Sequence, residues 1–175
     1  MTTHVALLRG INVGTAKRVA MPALRAMAEG LGYRDVATHI NSGNLLLGTE
    51  EDAETLRQRL EQGIEEGFGL HADVVVRTVA QLDAALAANP FPDGDPSRVT
   101  IAFLAGPAPD GTAERLLALA TADEPVLVHG QEVYVLYGHG QADSKLAAAF
   151  AKVLGVSATV RNLRTVRRLV DLTAS

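Results

Sequence analysis

Val36-Ala37-Thr38-His39-Ile40-Asn41-Ser42-Gly43-Asn44-Leu45-Leu46-Leu47 is the stretch that decides the fold of this chain. Val36, Thr38 and Ile40 alternate with Ala37, His39 and Asn41, the two-residue period of a strand. Leu45 to Leu47 is a second, wholly apolar strand. Ser42-Gly43 between them carries a hairpin turn signal. Upstream, Val5 to Leu8 reads as a buried strand. Met21, Leu24, Met27, Ala28 and Leu31 then fall on one helix face, with Pro22 at the first helical position and Gly32 at the stop. Downstream, Thr49 with Asp52 resembles a capping box opening a helix whose apolar line is Leu56, Leu60, Ile64 and Phe68. Asp73 to Arg77 follows as a fourth strand. The order is βαββαβ, the split-βαβ or ferredoxin-like unit.

The remainder repeats that order. A linker helix over Gln81 to Ala88 ends at Asn89-Pro90-Phe91-Pro92, and Asp93-Gly94-Asp95-Pro96 is a loop by composition. Val99 to Leu104 reads as a strand and Thr112 to Ala122 as a helix. Val126 to Val128 and Val133 to Tyr137 form a hairpin around Gly130-Gln131. Leu146, Phe150, Val153 and Leu154 mark a helix face, Ala158 to Val160 a short strand, and Leu163, Val166, Leu169 and Val170 a last helix. The expectation is an α+β protein of two ferredoxin-like lobes with a C-terminal helix. Residues 1–89 form the first lobe and its linker helix, and residues 90–175 the second, without detectable residue-level identity between the halves.

Composition narrows the function classes. The 175 residues suffice for a real core, and an apolar share of 47% with 21% charged is that of an ordinary globular protein. The absence of cysteine excludes disulfides, thiolate metal sites, iron–sulfur clusters and a cysteine nucleophile. No signal peptide pattern opens the chain and no apolar run approaches a membrane span, so a cytoplasmic protein is expected. Net charge is −4, unevenly spread. Glu50 to Glu66 holds seven acids against two arginines, whereas Arg161, Arg164, Arg167 and Arg168 face Asp171 alone. Few aromatics (4%, no Trp) argue against an extensive base-stacking surface.

Topology locates a site. In a βαββαβ unit the end of the first strand and the turn between the second and third lie at one end of the sheet, on neighbouring strands. The loop from Arg9 to Ala20 therefore belongs beside Asn41-Ser42-Gly43-Asn44. Gly10, Gly14 and Gly43 allow close backbone approach. Arg9, Lys17 and Arg18 bring positive charge, while Asn12, Asn41, Ser42 and Asn44 bring hydrogen-bonding groups. In the second half, Gly138-His139-Gly140 leads into the helix with Ser144 and Lys145, and Arg161 ends the last strand at the same sheet end.

Five segments also resemble successive signatures of one family. They are Leu7-Leu8-Arg9-Gly10-Ile11-Asn12-Val13-Gly14, Ile40-Asn41-Ser42-Gly43-Asn44, Val75-Val76-Arg77, Asn89-Pro90-Phe91 and Thr159-Val160-Arg161-Asn162-Leu163-Arg164-Thr165-Val166. In that order they are similar to the bacterial family called domain of unknown function 1697, over essentially the whole chain. The resemblance implies a two-lobed α+β fold related to the ferredoxin-like one, and no established activity. The chain departs from the family pattern at Thr15, His39 and Leu163, where a glycine, a tyrosine and a tryptophan are usual.

Other chemistries fit less well. The first loop lacks the Gly-Lys-Ser/Thr of a P-loop and the Gly-x-Gly-x-x-Gly of a dinucleotide loop, and Pro22 deletes a free helix N–H. Asn41-Ser42-Gly43-Asn44 has the residues a tight turn wants in any case, and Ser42 has no nucleophile elbow around it. His4, His39, His71, His129 and His139 show no metal-ligand spacing. His71, just before the fourth strand, is the one general-base candidate. The leading expectation is a small-molecule binding protein whose ligand carries a phosphate or carboxylate. Its contacts are Arg9, Asn12, Lys17, Asn41, Ser42 and Asn44, joined by Arg161 and Arg164 if the lobes close over the site. No cofactor is implied. A nucleic-acid module using the basic last helix ranks second, and a protein–protein adaptor third. The sequence names no reaction and no oligomeric state.

Overall fold

The computed structural model describes residues 1–14, 18–41 and 43–174. In chain order the elements are β1 (Thr2–Arg9), α1 (Met21–Gly30), β2 (Arg34–His39), β3 (Asn44–Thr49), α2 (Ala53–Phe68), β4 (Asp73–Thr78), α3 (Val79–Ala87), β5 (Val99–Leu104), α4 (Thr112–Leu117), β6 (Val126–His129), β7 (Glu132–Leu136), α5 (Lys145–Leu154), β8 (Ala158–Asn162) and α6 (Leu163–Thr173). Two antiparallel sheets result, ordered β2-β3-β1-β4 and β6-β7-β5-β8. Each is a ferredoxin-like βαββαβ lobe, so the α+β architecture read from the periodicity is the observed one. The chain divides into two compact units, Met1–Asp83 with Leu169–Ser175, and Ala84–Arg168.

In the first unit the two-residue period sorts the strands by face. Ala6, Leu8, Leu45, Leu47, Val74 and Val76 point to one side and pack with Leu24 and Ala28 of α1 and Leu56, Leu60 and Ile64 of α2. The intervening Val5, Leu7, Leu46 and Val75 are buried as well. Burial on both faces explains why these strands read as continuous apolar runs instead of clean alternation. Asp52 caps α2, its carboxylate accepting the Thr55 N–H at 2.9 Å, and Gly69 closes the helix in the left-handed region. Thr49 does not act as the cap: its Oγ1 accepts the Glu51 N–H at 3.1 Å, one turn too early.

The second unit has its own core of Ala102, Leu104, Val133, Val135 and Tyr137 against Leu116, Leu146, Phe150 and Leu154. Here the helix expected over Thr112 to Ala122 stops at Leu117. The reason is local competition. The Glu124 N–H donates to Thr121 O at 3.0 Å while Glu124 Oε1 accepts the Thr121 N–H at 3.1 Å, and this closed turn offers the backbone an alternative to further helix.

Gly43 fixes the hairpin end of the first sheet. Its φ is +86°, and a Cβ there would lie 2.8 Å from both Leu8 Cβ and Ile11 Cδ1. Gly43→Ala is therefore expected to destabilise the chain by roughly 1–3 kcal/mol, from left-handed strain plus overpacking, measured by urea unfolding. A second expectation concerns pH. All three tyrosines, Tyr33, Tyr134 and Tyr137, are buried, and burial pushes each phenol up to about 12, with Glu51, Glu132 and Glu124 respectively adding to the rise. Between pH 10 and 12 the unfolded chain releases phenolic protons that the folded chain retains. Stability should thus fall as pH rises through that window, by about 2–3 kcal/mol per tyrosine. Phenolate absorbance should appear together with loss of tertiary structure, not before it.

Candidate functional site

β1 pairs with β3 so that Leu7 stands opposite Asn44, and the Leu8 N–H donates to Gly43 O at 2.9 Å. That register carries the segment after Arg9 along the β2–β3 turn. Ile11 and Val19 are buried and anchor both ends of the loop in the first unit's core. Between them Asn12 acts as a clip. Its Nδ2 donates to Val19 O at 2.8 Å and to Asn41 O at 2.9 Å, and its Oδ1 accepts the Val19 N–H at 2.7 Å. One side chain thus closes the loop on itself and ties it to the neighbouring turn. Asn44 is fully buried, and its Nδ2 donates to His39 O at 2.9 Å across the hairpin.

Of the residues expected at this rim, Arg9, Asn12, Asn41 and Asn44 are brought together, while Lys17 and Ser42 lie outside the described residues. Arg9 and Asn41 are exposed, as is Arg18, whose Nη1 donates to Asn12 O at 3.2 Å. Arg9 stands opposite Asp73 on β4, and the Asp73 carboxylate lies 3.0 Å from His71 Nε2, so His71 does sit at this sheet end. The backbone of the loop is unusual. Gly10, Asn12 and Gly14 have φ of +82°, +54° and +58°, whereas Ile11 and Val13 between them do not enter that region. Among the described residues, none accepts a hydrogen bond from the N–H groups of residues 10–14.

The alternation places Ile40 on a strand, but it has φ +51° and is 52% exposed. A β-branched residue in that conformation is strained. Alternation with Val36 and Thr38 hid this, and only the adjoining turn residues hinted at it. Val13, 65% exposed, is the other bare apolar side chain of the loop.

Arg161 and Arg164 belong to the second unit. Arg161 lies on β8 opposite Ile101, its Nη1 donating to Val160 O at 3.0 Å, and desolvation pulls its guanidinium down to about 10. Arg164, in the first turn of α6, is exposed together with Arg167 and Arg168, while Leu163, Val166 and Leu169 are buried. The aromatics of the second sheet are also inside: Phe103 and Tyr134 are fully buried, and the Tyr134 hydroxyl donates to Ala85 O at 2.7 Å. None of them is bare for a base to stack on.

No helix of the described residues is long and apolar enough to cross a membrane, and no group of three or more His, Asp or Glu is placed among them to hold a metal ion. No curated protein matches the chain. Among solved structures it is similar to the conserved bacterial protein SP0830 from Streptococcus pneumoniae, with a TM-score of 0.76 and 21% sequence identity over 97% of each chain. At that identity the likeness concerns the fold. Residues 1–134, which include the loop, its clip and the β2–β3 turn, match the model of the family described as protein of unknown function DUF1697, and the chain belongs to that family.

Proposed function

We propose that the loop beginning at Arg9 binds the phosphate or carboxylate of a small molecule at the end of the first sheet. The observation that carries this reading is the alternating sign of φ from Gly10 to Gly14, together with N–H groups that no described residue uses. Such alternation is the backbone pattern of anion-binding concavities, in which successive N–H groups turn toward one point. Exposed Arg9 and Arg18 flank it and supply charge and donor forks. Asn12 and Asn44 serve in this reading by holding the two segments in register, because their side chains are already engaged with backbone. Asn41, with Lys17 and Ser42 from the sequence reading, completes the contact set. Arg161 and Arg164 enter only if the second unit contributes.

Amide resonances of Gly10 to Gly14 should shift saturably when the protein is titrated with a phosphomonoester or a dicarboxylate. Arg9→Ala and Arg18→Ala should each weaken that response about tenfold, roughly 1.4 kcal/mol. Saturable binding that leaves these amides unmoved, or that ignores both substitutions, would remove the loop from the model.

A second reading rests on a separate observation, the three exposed arginines of α6. If that face binds nucleic acid, affinity falls steeply with salt. Arg164→Ala with Arg168→Ala should then flatten the log–log slope by about one per arginine. Failure to retain any RNA or DNA at low salt would dispose of it.

A further inference from the structure

The second unit holds a cavity of about 370 Å³, lined by Thr121, Glu124, His139, Gly140, Ser144 and their neighbours Asp143 and Lys145. That volume suits a small metabolite. Glu124, the most buried of these groups, is only 7% exposed. Its Oε1 accepts the Thr121 N–H at 3.1 Å, and its Oε2 accepts the Ser144 hydroxyl. Ser144 is held in turn as the cap of α5, its Oγ accepting the Ala147 N–H at 3.1 Å. Burial pushes the Glu124 carboxyl up, but the hydrogen bonds from Ser144 and Thr121 outweigh this and hold it below the usual range. The group is therefore a carboxylate at neutral pH.

A buried carboxylate is normally matched by a cation. None of the described residues forms an ion pair with Glu124. Asp123, also an anion, acts on it unfavourably, and the Asp123 carboxylate is itself engaged by His139 at 3.0 Å. Lys145 lines the cavity, is exposed and forms no ion pair with a described residue. Asp143 adds a further negative group to the lining. Gly140, at φ +81°, has open space where a side chain would stand, so the chain itself does not fill the cavity there.

We infer that this cavity binds a small organic ammonium ion, with the Glu124 carboxylate as its counter-charge at the cavity wall. A metal ion would need several ligands, and the described residues present no group of three. Each Glu124 oxygen already accepts one donor and keeps one lone-pair direction for a ligand N–H. A compact ammonium, donating in any direction, fits what is left. Size and apolar contacts then set which amine is preferred, and the charge sets that it is an amine. The site is separate from the loop at the first sheet and stands whether or not that loop binds an anion.

Titrating the full chain with n-butylammonium, n-butanol and butyrate, while following the amides of Thr121, Gly140 and Ser144, tests this. The expected result is saturable shifts with the ammonium ion alone. Glu124→Gln, which keeps the shape and one acceptor oxygen, should weaken that binding at least tenfold. Equal shifts from n-butanol, undiminished binding in Glu124→Gln, or no saturable response to the ammonium ion would each overturn the inference. Should Glu124→Gln not fold, the comparison of the three probes on the unaltered protein still decides.

Discussion

The antiparallel register of β1 on β3 is the constraint on which the rest of the first unit depends. With Leu7 opposite Asn44 and the Leu8 N–H on Gly43 O, the strand ends and the turn meet at one rim. A slip of one residue would turn Ala6, Leu8, Leu45 and Leu47 out of the core and move the loop away from its turn. Asn12 secures what the register begins, because its amide reaches both the far end of its own loop and Asn41. The backbone strain at Ile40 is tolerated inside that frame, where the paired strands over-determine the turn.

The two units share more than strand order. Arg77 on β4 stands opposite Val5, and Arg161 on β8 opposite Ile101, corresponding places in the two sheets. Each guanidinium donates to the carbonyl just before it, Val76 O at 3.1 Å and Val160 O at 3.0 Å. The next residue in each opens a helix. Thr78 and Gln81 exchange bonds with each other's N–H at the start of α3, and Asn162 Oδ1 accepts the Thr165 N–H at the start of α6. Val-Arg followed by a capping residue is thus one device used twice, although the halves look unrelated when their sequences are compared directly. It ends a strand and starts a helix with no intervening loop.

Burial on both sides of the sheets also bears on function. Open ferredoxin-like sheets bind RNA through bare aromatics on the central strands. Here Val5, Leu7 and Leu46 of the first sheet and Phe103 and Tyr134 of the second are inside. Polar chemistry is left to the sheet ends, the loops that join the strands, and the wet side of α6. The loop after β1 and the cavity beside α5 are both such places, one with N–H donors that no described residue uses and the other built around an acceptor.

Much of this was legible in the residues. Apolar spacing at two and at 3.6 residues identified the strands and long helices. Once the order βαββαβ was recognised, topology alone brought Arg9 and Asn41 to one rim. Periodicity misplaces the α2 cap at Thr49 instead of Asp52, runs α4 past Leu117 and sets Ile40 on a strand, because short-range hydrogen bonds and a left-handed turn residue leave no periodic trace. His139, Ser144 and Lys145 were visible as a turn and a helix start, but Glu124 was hidden in what looked like the tail of a helix. By itself, then, the sequence determined the architecture, because burial of apolar side chains is additive and leaves a periodic trace. Only the tertiary structure decided which polar groups are already engaged and which are not, since a hydrogen bond depends on the position of one partner atom that no spacing rule encodes.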